Sequence, residues 1–285
     1  SDTAAKDSSP ATTDAAGSRN NTPIVLTGSA DGTVTYGNDS VTVDASHTEE
    51  GYLMVSYSGS NSKVKLQITG SDEITYTYNL HDGYETFPLT SGSGSYTVGV
   101  FENIEGTSYS TLFTQAIDVT IQDEFGPYLY ANQYVNFSAD SKVISKAMEL
   151  SASANDDLEV IENVYNYIIT NFTYDYDKAA SVQNGYLPNV DEVLASQTGI
   201  CFDYAAVMAS MLRCERIPTR LEVGYMGDVY HAWISTYIKD KGWVNGIIEF
   251  DGNDWKLMDP TFASTSSDPK DFLTQTDEYI TKYVY

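Results

Sequence analysis

Cysteine and histidine are scarce in this chain: two and three residues in 285. Cys201 and Cys214 are too few to frame a disulfide scaffold. The run TGICFDYAAVMASMLRC reads as one helix, which would separate the two sulfurs by roughly 20 Å, beyond bridging distance. Two distant cysteines with one nearby histidine also make no tetrahedral zinc site. Basic residues are short as well, 15 against 40 acidic, for a net charge of −25. That field repels phosphate backbones and anionic lipid, so no nucleic-acid partner is expected. No apolar run approaches the ~20 residues that span a bilayer, and no signal peptide is legible. The segment DGND (Asp251 to Asp254) lacks the further acidic ligands of a calcium loop and reads as a hairpin turn. No cofactor or metal site is expected.

Hydrophobic residues make up 41% of the chain, enough for a folded core. Residues 1–22 are small and polar and read as a flexible tether. A tether that starts at residue 1 suits a mature chain whose leader is gone, with room for a lipid anchor upstream of residue 1. The 23 tyrosines, with frequent Ser and Thr, resemble secreted bacterial surface proteins, so an extracellular or cell-surface location is expected. Four Asn-x-Ser/Thr sequons stand at Asn20, Asn38, Asn136 and Asn171 and matter only in a glycosylating host. Oligomeric state is not legible.

Residues 23–123 read as β. Runs such as GTVTYG, SVTVDAS, YLMVSYSG, KVKLQITG and EITYTYNL alternate β-branched or aromatic residues with polar ones, separated by turn formers. About seven such runs in about a hundred residues predict an immunoglobulin-like β-sandwich, without a Cys…Trp…Cys core. DGYETFPL and ENIEGTSYS read as turns. Residues 124–285 change character. SADSKVISKAMELSAS has helical spacing. NDDLEVIENVYNYIITNF has Asn155 or Asp156 as N-cap and an Ile161, Val164, Tyr165, Ile168 stripe. A long loop from about Thr173 to Pro188 and a short helix VDEVLASQ precede the cysteine-led helix, which stops before Pro218. Three strands follow. The predicted fold class is multidomain: a β domain followed by an α+β domain.

A free thiol with pKa near 8.5 is only about 3% thiolate at pH 7, so a nucleophilic cysteine needs help. Cys201 stands where a helix begins, and unpaired N–H groups there favour an anion. It also needs a base, usually histidine, held by a third group. His47 and His81 lie in the β region. His231 lies in the apolar strand YHAWISTYI, and Asp259 ends the strand WKLMDPTF. Neighbouring strands about 4.8 Å apart would let the two meet. The bland readings are a small buried cysteine, a core histidine and a turn aspartate before Pro260; the three residues occurring together weigh against them. For Cys214 the buried reading stands.

TGICFDYAAVMASMLR, YHAWIST and WKLMDPTF, in this order and spacing, resemble the transglutaminase-like superfamily, whose papain-like fold sets a cysteine at a helix start with His and Asp on later strands. The resemblance spans about residues 140–265. It implies a papain-like transglutaminase-core domain with Cys201 as nucleophile, His231 as general base then acid, and Asp259 as the residue that holds the imidazole. It implies a cysteine peptidase, amidase or acyltransferase that works through a thioester, with the Cys201 backbone N–H in the oxyanion hole. Gln197 is a weak second donor, four residues before the cysteine. Tyr174 or Tyr176 are alternative pocket residues, and Asp203 is expected to tie down the first helical turn. The expected partner is a peptide or protein substrate, cell-wall peptide included. The alternatives are a catalytically silent adhesion module and an amine-accepting cross-linker.

Overall fold

A computed structural model describes residues 16–226, 229–258 and 279–285. The first part holds β1 (Thr35–Gly37), β2 (Val41–Asp44), β3 (Tyr52–Tyr57), β4 (Val64–Thr69), β5 (Thr75–Asn79), β6 (Glu85–Pro88), β7 (Gly94–Glu105) and β8 (Ser108–Val119). They form two four-stranded antiparallel sheets, β1-β2-β3-β6 and β5-β4-β7-β8. Alternation decides which face is buried: Val64, Leu66 and Ile68 of β4 point into the core while Lys65, Gln67 and Thr69 do not. Two segments expected as turns are strand. DGYETFPL contains β6, paired with β3, because Phe87 and Pro88 are buried where the acidic residues suggested solvent. ENIEGTSYS is the end of the β7–β8 hairpin, in which only Gly106 and Thr107 lie between the strands.

The second part begins with α1 (Lys142–Ser151) and α2 (Asp157–Asn171). Asp156 caps α2 by accepting the Glu159 N–H at 2.9 Å, and Val160, Ile161, Val164 and Ile168 form its buried stripe. The expected loop from Thr173 is partly ordered, as β9 (Thr173–Tyr174) and α3 (Tyr176–Ser181), because Asp175 caps α3 by accepting the Lys178 N–H at 3.0 Å. Then come α4 (Val190–Ser196), β10 (Thr198–Gly199) and α5 (Cys201–Cys214). The chain continues as β11 (Thr219–Met226), β12 (Val229–Ile238), β13 (Gly242–Phe250), β14 (Trp255–Leu257) and β15 (Tyr279–Val284). These five form one sheet, ordered β14-β13-β12-β11-β15, where three strands were expected. The extra members are a short return after the Asp251–Asp254 turn and the C-terminal strand, which pairs with β11.

Residues 16–22 fall inside the stretch expected to be a tether, yet they are docked. Gly17 N–H donates to Ala152 O at 2.9 Å, Arg19 Nε to Asp157 Oδ1 at 2.8 Å, and Asn21 Nδ2 to Ala154 O at 3.2 Å. A Cβ on Gly17 would lie 1.9 Å from Ala154 O, so a glycine is required at that approach. Local composition could not reveal this, because the partners lie more than a hundred residues away.

Helix α5 is the centre of the second part. Of its 14 residues only Phe202 is not buried. Ala205, Ala206 and Ala209 allow close approach by α1, α2 and α4, and β11 and β12 close the opposite side. Arg213, 1% exposed, spends its guanidinium on three backbone carbonyls. Nε and Nη2 donate to Thr219 O, Nη1 to Tyr130 O, and Nη2 also to Tyr285 O. It therefore clips the helix to the connector before α1 and to the last residue. Tyr285 in turn packs against Tyr78 of β5, Tyr134 and Phe202, with ring centroids 6.3, 4.3 and 6.4 Å away. One apolar core runs through both parts.

Replacing Arg213 by Met should lower unfolding free energy by about 3–5 kcal/mol, since three buried carbonyls lose their donors. A urea titration that shows less than 1 kcal/mol, with an unchanged slope, would contradict that role for the clip.

Candidate active site

The approach to Cys201 is built by a two-residue parallel pairing. Thr173 lies opposite Thr198, and Tyr174 opposite Gly199. Asp175 N–H donates to Gly199 O at 2.9 Å, which fixes Tyr174 beside the start of α5. A Cβ on Gly199 would lie 2.8 Å from both Cβ and Oδ2 of Asp203, so glycine is needed for the chain to turn into the helix. Asp203 reaches back to accept the Ile200 N–H at 3.0 Å and so satisfies one of the helix's unpaired donors. The expected structural role of Asp203 is what its contacts provide.

Asp203 is fully buried and holds more than the first turn. Lys178 Nζ lies 2.7 Å from its Oδ2, the Tyr186 hydroxyl donates to its Oδ1, and the Lys178 ammonium sits 4.5 Å over the Tyr186 ring. These contacts tie α3 and the loop after it onto the helix start. The sequence carried a faint signal for this network: a lysine and a tyrosine in the segment before a buried acidic position.

Cys201 is 7% exposed. Burial pushes its thiol up to about 12, and the charge of Asp203 adds to the rise. The Phe202 N–H and the Tyr174 hydroxyl pull the other way but do not offset burial. Burial also raises the Tyr174 phenol to about 12, and the adjacent thiol contributes. The Tyr174 phenol thus lies near the Cys201 thiol, at the start of α5. Tyr176 packs on Tyr174 with centroids 4.9 Å apart and is 71% exposed. Gln197 ends α4 in the left-handed region, and its Nε2 donates to the Tyr167 hydroxyl at 3.2 Å, so its amide has a partner other than Cys201.

His231 is 6% exposed on β12. Residues directly opposite on paired strands share a face: Ala232 with Phe250, and Trp233 with Glu249. Phe250 stacks on Tyr174 at 5.8 Å and packs on Trp255, which stacks on Tyr204 of α5. That side of the sheet is therefore the α5 side, and Tyr230 shares it, its phenol raised by burial and by the nearby Cys201 thiol. Alternation sends His231 to the other side with Trp233, whose ring is 5.3 Å away. His231 Nδ1 lies 3.4 Å from Glu249 Oε1, within ion-pair range but without a hydrogen bond. Sulfur and imidazole are not hydrogen-bonded to each other here. Asp259 lies outside the described residues. Sequence reasoning missed both Glu249 and Tyr230, because which residues share a side of the sheet depends on strand pairing.

Cys214 is a free, fully buried thiol at the far end of the same helix. His47 is paired with Asp31 and Glu50, and His81 with Glu85, all in the β region. Among the described residues no group of three or more His, Cys, Asp or Glu side chains is set to hold a metal ion. No described helix is long and apolar enough to cross a membrane.

Comparison with known proteins places this arrangement. Residues 144–246 match the profile of the transglutaminase-like superfamily. UPF0252 protein MJ1282 of Methanocaldococcus jannaschii is 27% identical over 89 residues, 30% of this chain and 24% of its own length. The chain thus spans about a quarter of that relative. Among solved structures, similarity extends to a protein described as a candidate cysteine protease from Cytophaga hutchinsonii, over 89% of this chain and 82% of that one, with TM-score 0.39 and 16% identity. Red sea bream transglutaminase is matched over 74% and 49%, with TM-score 0.33 and 13% identity. A protein described as a candidate protease from Parabacteroides distasonis is matched over 69% and 42%, with TM-score 0.33 and 13% identity.

With the thiol pushed up to about 12, about one in 100,000 is ionised at pH 7. Alkylation of Cys201 by iodoacetamide should rise about tenfold per pH unit from 7 through 10, past the point near 8.5 where a free cysteine levels off. Asp203→Asn keeps an acceptor for the Ile200 N–H but removes the opposing charge, so it should speed alkylation. A rate that plateaus near pH 8.5, read by mass spectrometry of the adduct, contradicts this electrostatic account.

Proposed function

We propose that this chain, which carries a transglutaminase-like core over residues 144–246, is a cysteine enzyme acting on amide bonds of peptides or proteins at the bacterial cell surface. The observation that carries the reading is Cys201 as first residue of the buried helix of that core, with Tyr174 held beside the helix start by its pairing opposite Gly199.

In this reading the substrate carbonyl enters beside Tyr174 and meets Cys201. Cys201 Sγ attacks the carbonyl carbon, and His231 takes the thiol proton and returns it to the departing amine nitrogen. The oxyanion is held by the Cys201 N–H, with Tyr174 as second donor. The thioester is then cleaved by water, from which His231 removes a proton, releasing the acid and the free thiol. Asp259 orients the imidazole. Cell-wall peptide is one candidate substrate, and an amine in place of water would give cross-linking. The chemistry requires an imidazole within about 3 Å of Sγ. The working state therefore differs from the arrangement above: Tyr174 makes room at the thiol, and the start of β12 re-pairs by one residue, which carries His231 from the Glu249 side to the α5 side.

A second reading, a catalytically silent binding module, is favoured by the burial of the thiol and by the side of β12 on which His231 lies. Trapping decides between them. Incubation with a peptide library should yield a Cys201 thioester that is visible by mass spectrometry and absent in Cys201→Ala. His231→Ala should cut kcat/KM by about 10³-fold or more. Turnover that survives Cys201→Ala, or no turnover on any peptide or amine pair, supports the binding module instead.

A further inference from the structure

The β7–β8 hairpin is irregular, and its irregularities build a concavity far from Cys201 in sequence. Its register shifts twice, between Val100 and Phe101 and between Asn103 and Glu105, which leaves Leu112 and Ile104 as extra residues. Bulges bend a strand and sharpen its twist. Here they accompany a hollow between the hairpin end and the outward side of β4 and β5. Asn103 Nδ2 ties that end by donating to Gly106 O at 2.9 Å and Ser108 O at 3.3 Å, and Asn61 Nδ2 donates to Asn103 O at 2.9 Å. The hollow measures about 480 Å³, within the range of ligand sites, and is lined by Lys65, Gln67, Thr77, Phe101, Thr107 and Tyr109.

We propose that this hollow binds an oligosaccharide that carries an acidic substituent. Two aromatic rings, an amide, two hydroxyls and an ammonium converge on one preformed surface. A sugar ring offers the complement, C–H faces for Phe101 and Tyr109 and hydroxyls for Gln67, Thr77 and Thr107. The Lys65 ammonium lies 5.0 Å over the Tyr109 ring rather than on a carboxylate, in a chain with 40 acidic and 15 basic residues. It is a cation left for an anionic group. An extended peptide fits less well, because both edges of β4 are already paired and a strand laid on the face would gain no main-chain bonds. A nucleic acid fits less well, because its row of phosphates needs several cations and Lys65 is the one basic residue in the lining. Position adds a second observation. Asn79, opposite Lys65 on β5, meets Gly185, where an added Cβ would fall 2.2 Å from Asn79 Nδ2. Gly185 precedes Tyr186, whose hydroxyl bonds Asp203 beside Cys201. A chain bound in the hollow thus borders the loop that is tied to Asp203 in the first turn of α5.

The test is calorimetric titration of the full chain with a hexamer of N-acetylglucosamine, with the same hexamer ending in one glucuronic acid, and with an acidic peptide. Saturable binding is expected for the uronate, weaker binding for the neutral sugar, and none for the peptide. Tyr109→Ala and Gln67→Ala should each weaken uronate binding about tenfold. Lys65→Met should erase the preference for the uronate. Should Tyr109→Ala lower Tm, Lys65→Met and Gln67→Ala read the same surface without replacing a hairpin residue. No uronate binding at millimolar concentration, binding unchanged in Gln67→Ala and Lys65→Met, or peptide binding of equal strength overturns the proposal. Cys201→Ala should leave the titration unchanged, so loss of catalysis and loss of sugar binding are distinguishable.

Discussion

Helix α5 has almost no solvent side, and the second half of the protein follows from that. A helix enclosed by three helices and a sheet must present small or apolar residues in every direction, hence its alanines, methionines and leucine. Its two buried charged groups, Asp203 and Arg213, are matched inside. Asp203 is matched by a lysine, a tyrosine and a backbone N–H, and Arg213 by three carbonyls. Each match pins a distant segment to the helix. At one end the segment is the α3 region; at the other it is the C-terminus.

The same enclosure sets the chemistry of Cys201. A helix N-terminus is worth up to about 2 kcal/mol to an anion, which would lower a thiol pKa by little more than one unit. Burial and the Asp203 charge act against it. The rise from 9.0 to about 12 corresponds to about 4 kcal/mol against the thiolate. Desolvation wins, so the helix start alone does not make this cysteine reactive. A nucleophilic role for this thiol would need a partner group that offsets that burial.

The β region and the second part are not independent bodies joined by a linker. Tyr285 is wedged among rings from both, and Val284 N–H donates to the Tyr76 hydroxyl at 3.1 Å. The loop that holds Tyr186 reaches the end of β5 through Gly185. The outer side of β4 and β5 is therefore one residue-to-residue contact from the loop bonded to Asp203.

Much was legible in local pattern. The Asp156 cap and apolar stripe of α2, the cysteine-led helix, the alternation in β4 and the turn at Asp251 are written in spacings of two, three and four residues, which the backbone enforces wherever the segment sits. Pairings over long separations were not legible. Docking of residues 16–22, β15 beside β11, β6 beside β3, and the partner of Gln197 depend on segments far away in the chain. So does the side on which His231 emerges. A strand has two sides separated by one residue, and sequence shows the alternation without showing which side meets the helix. Strand pairing and packing against α5 made that choice, because they alone fix which set of alternate residues leaves water.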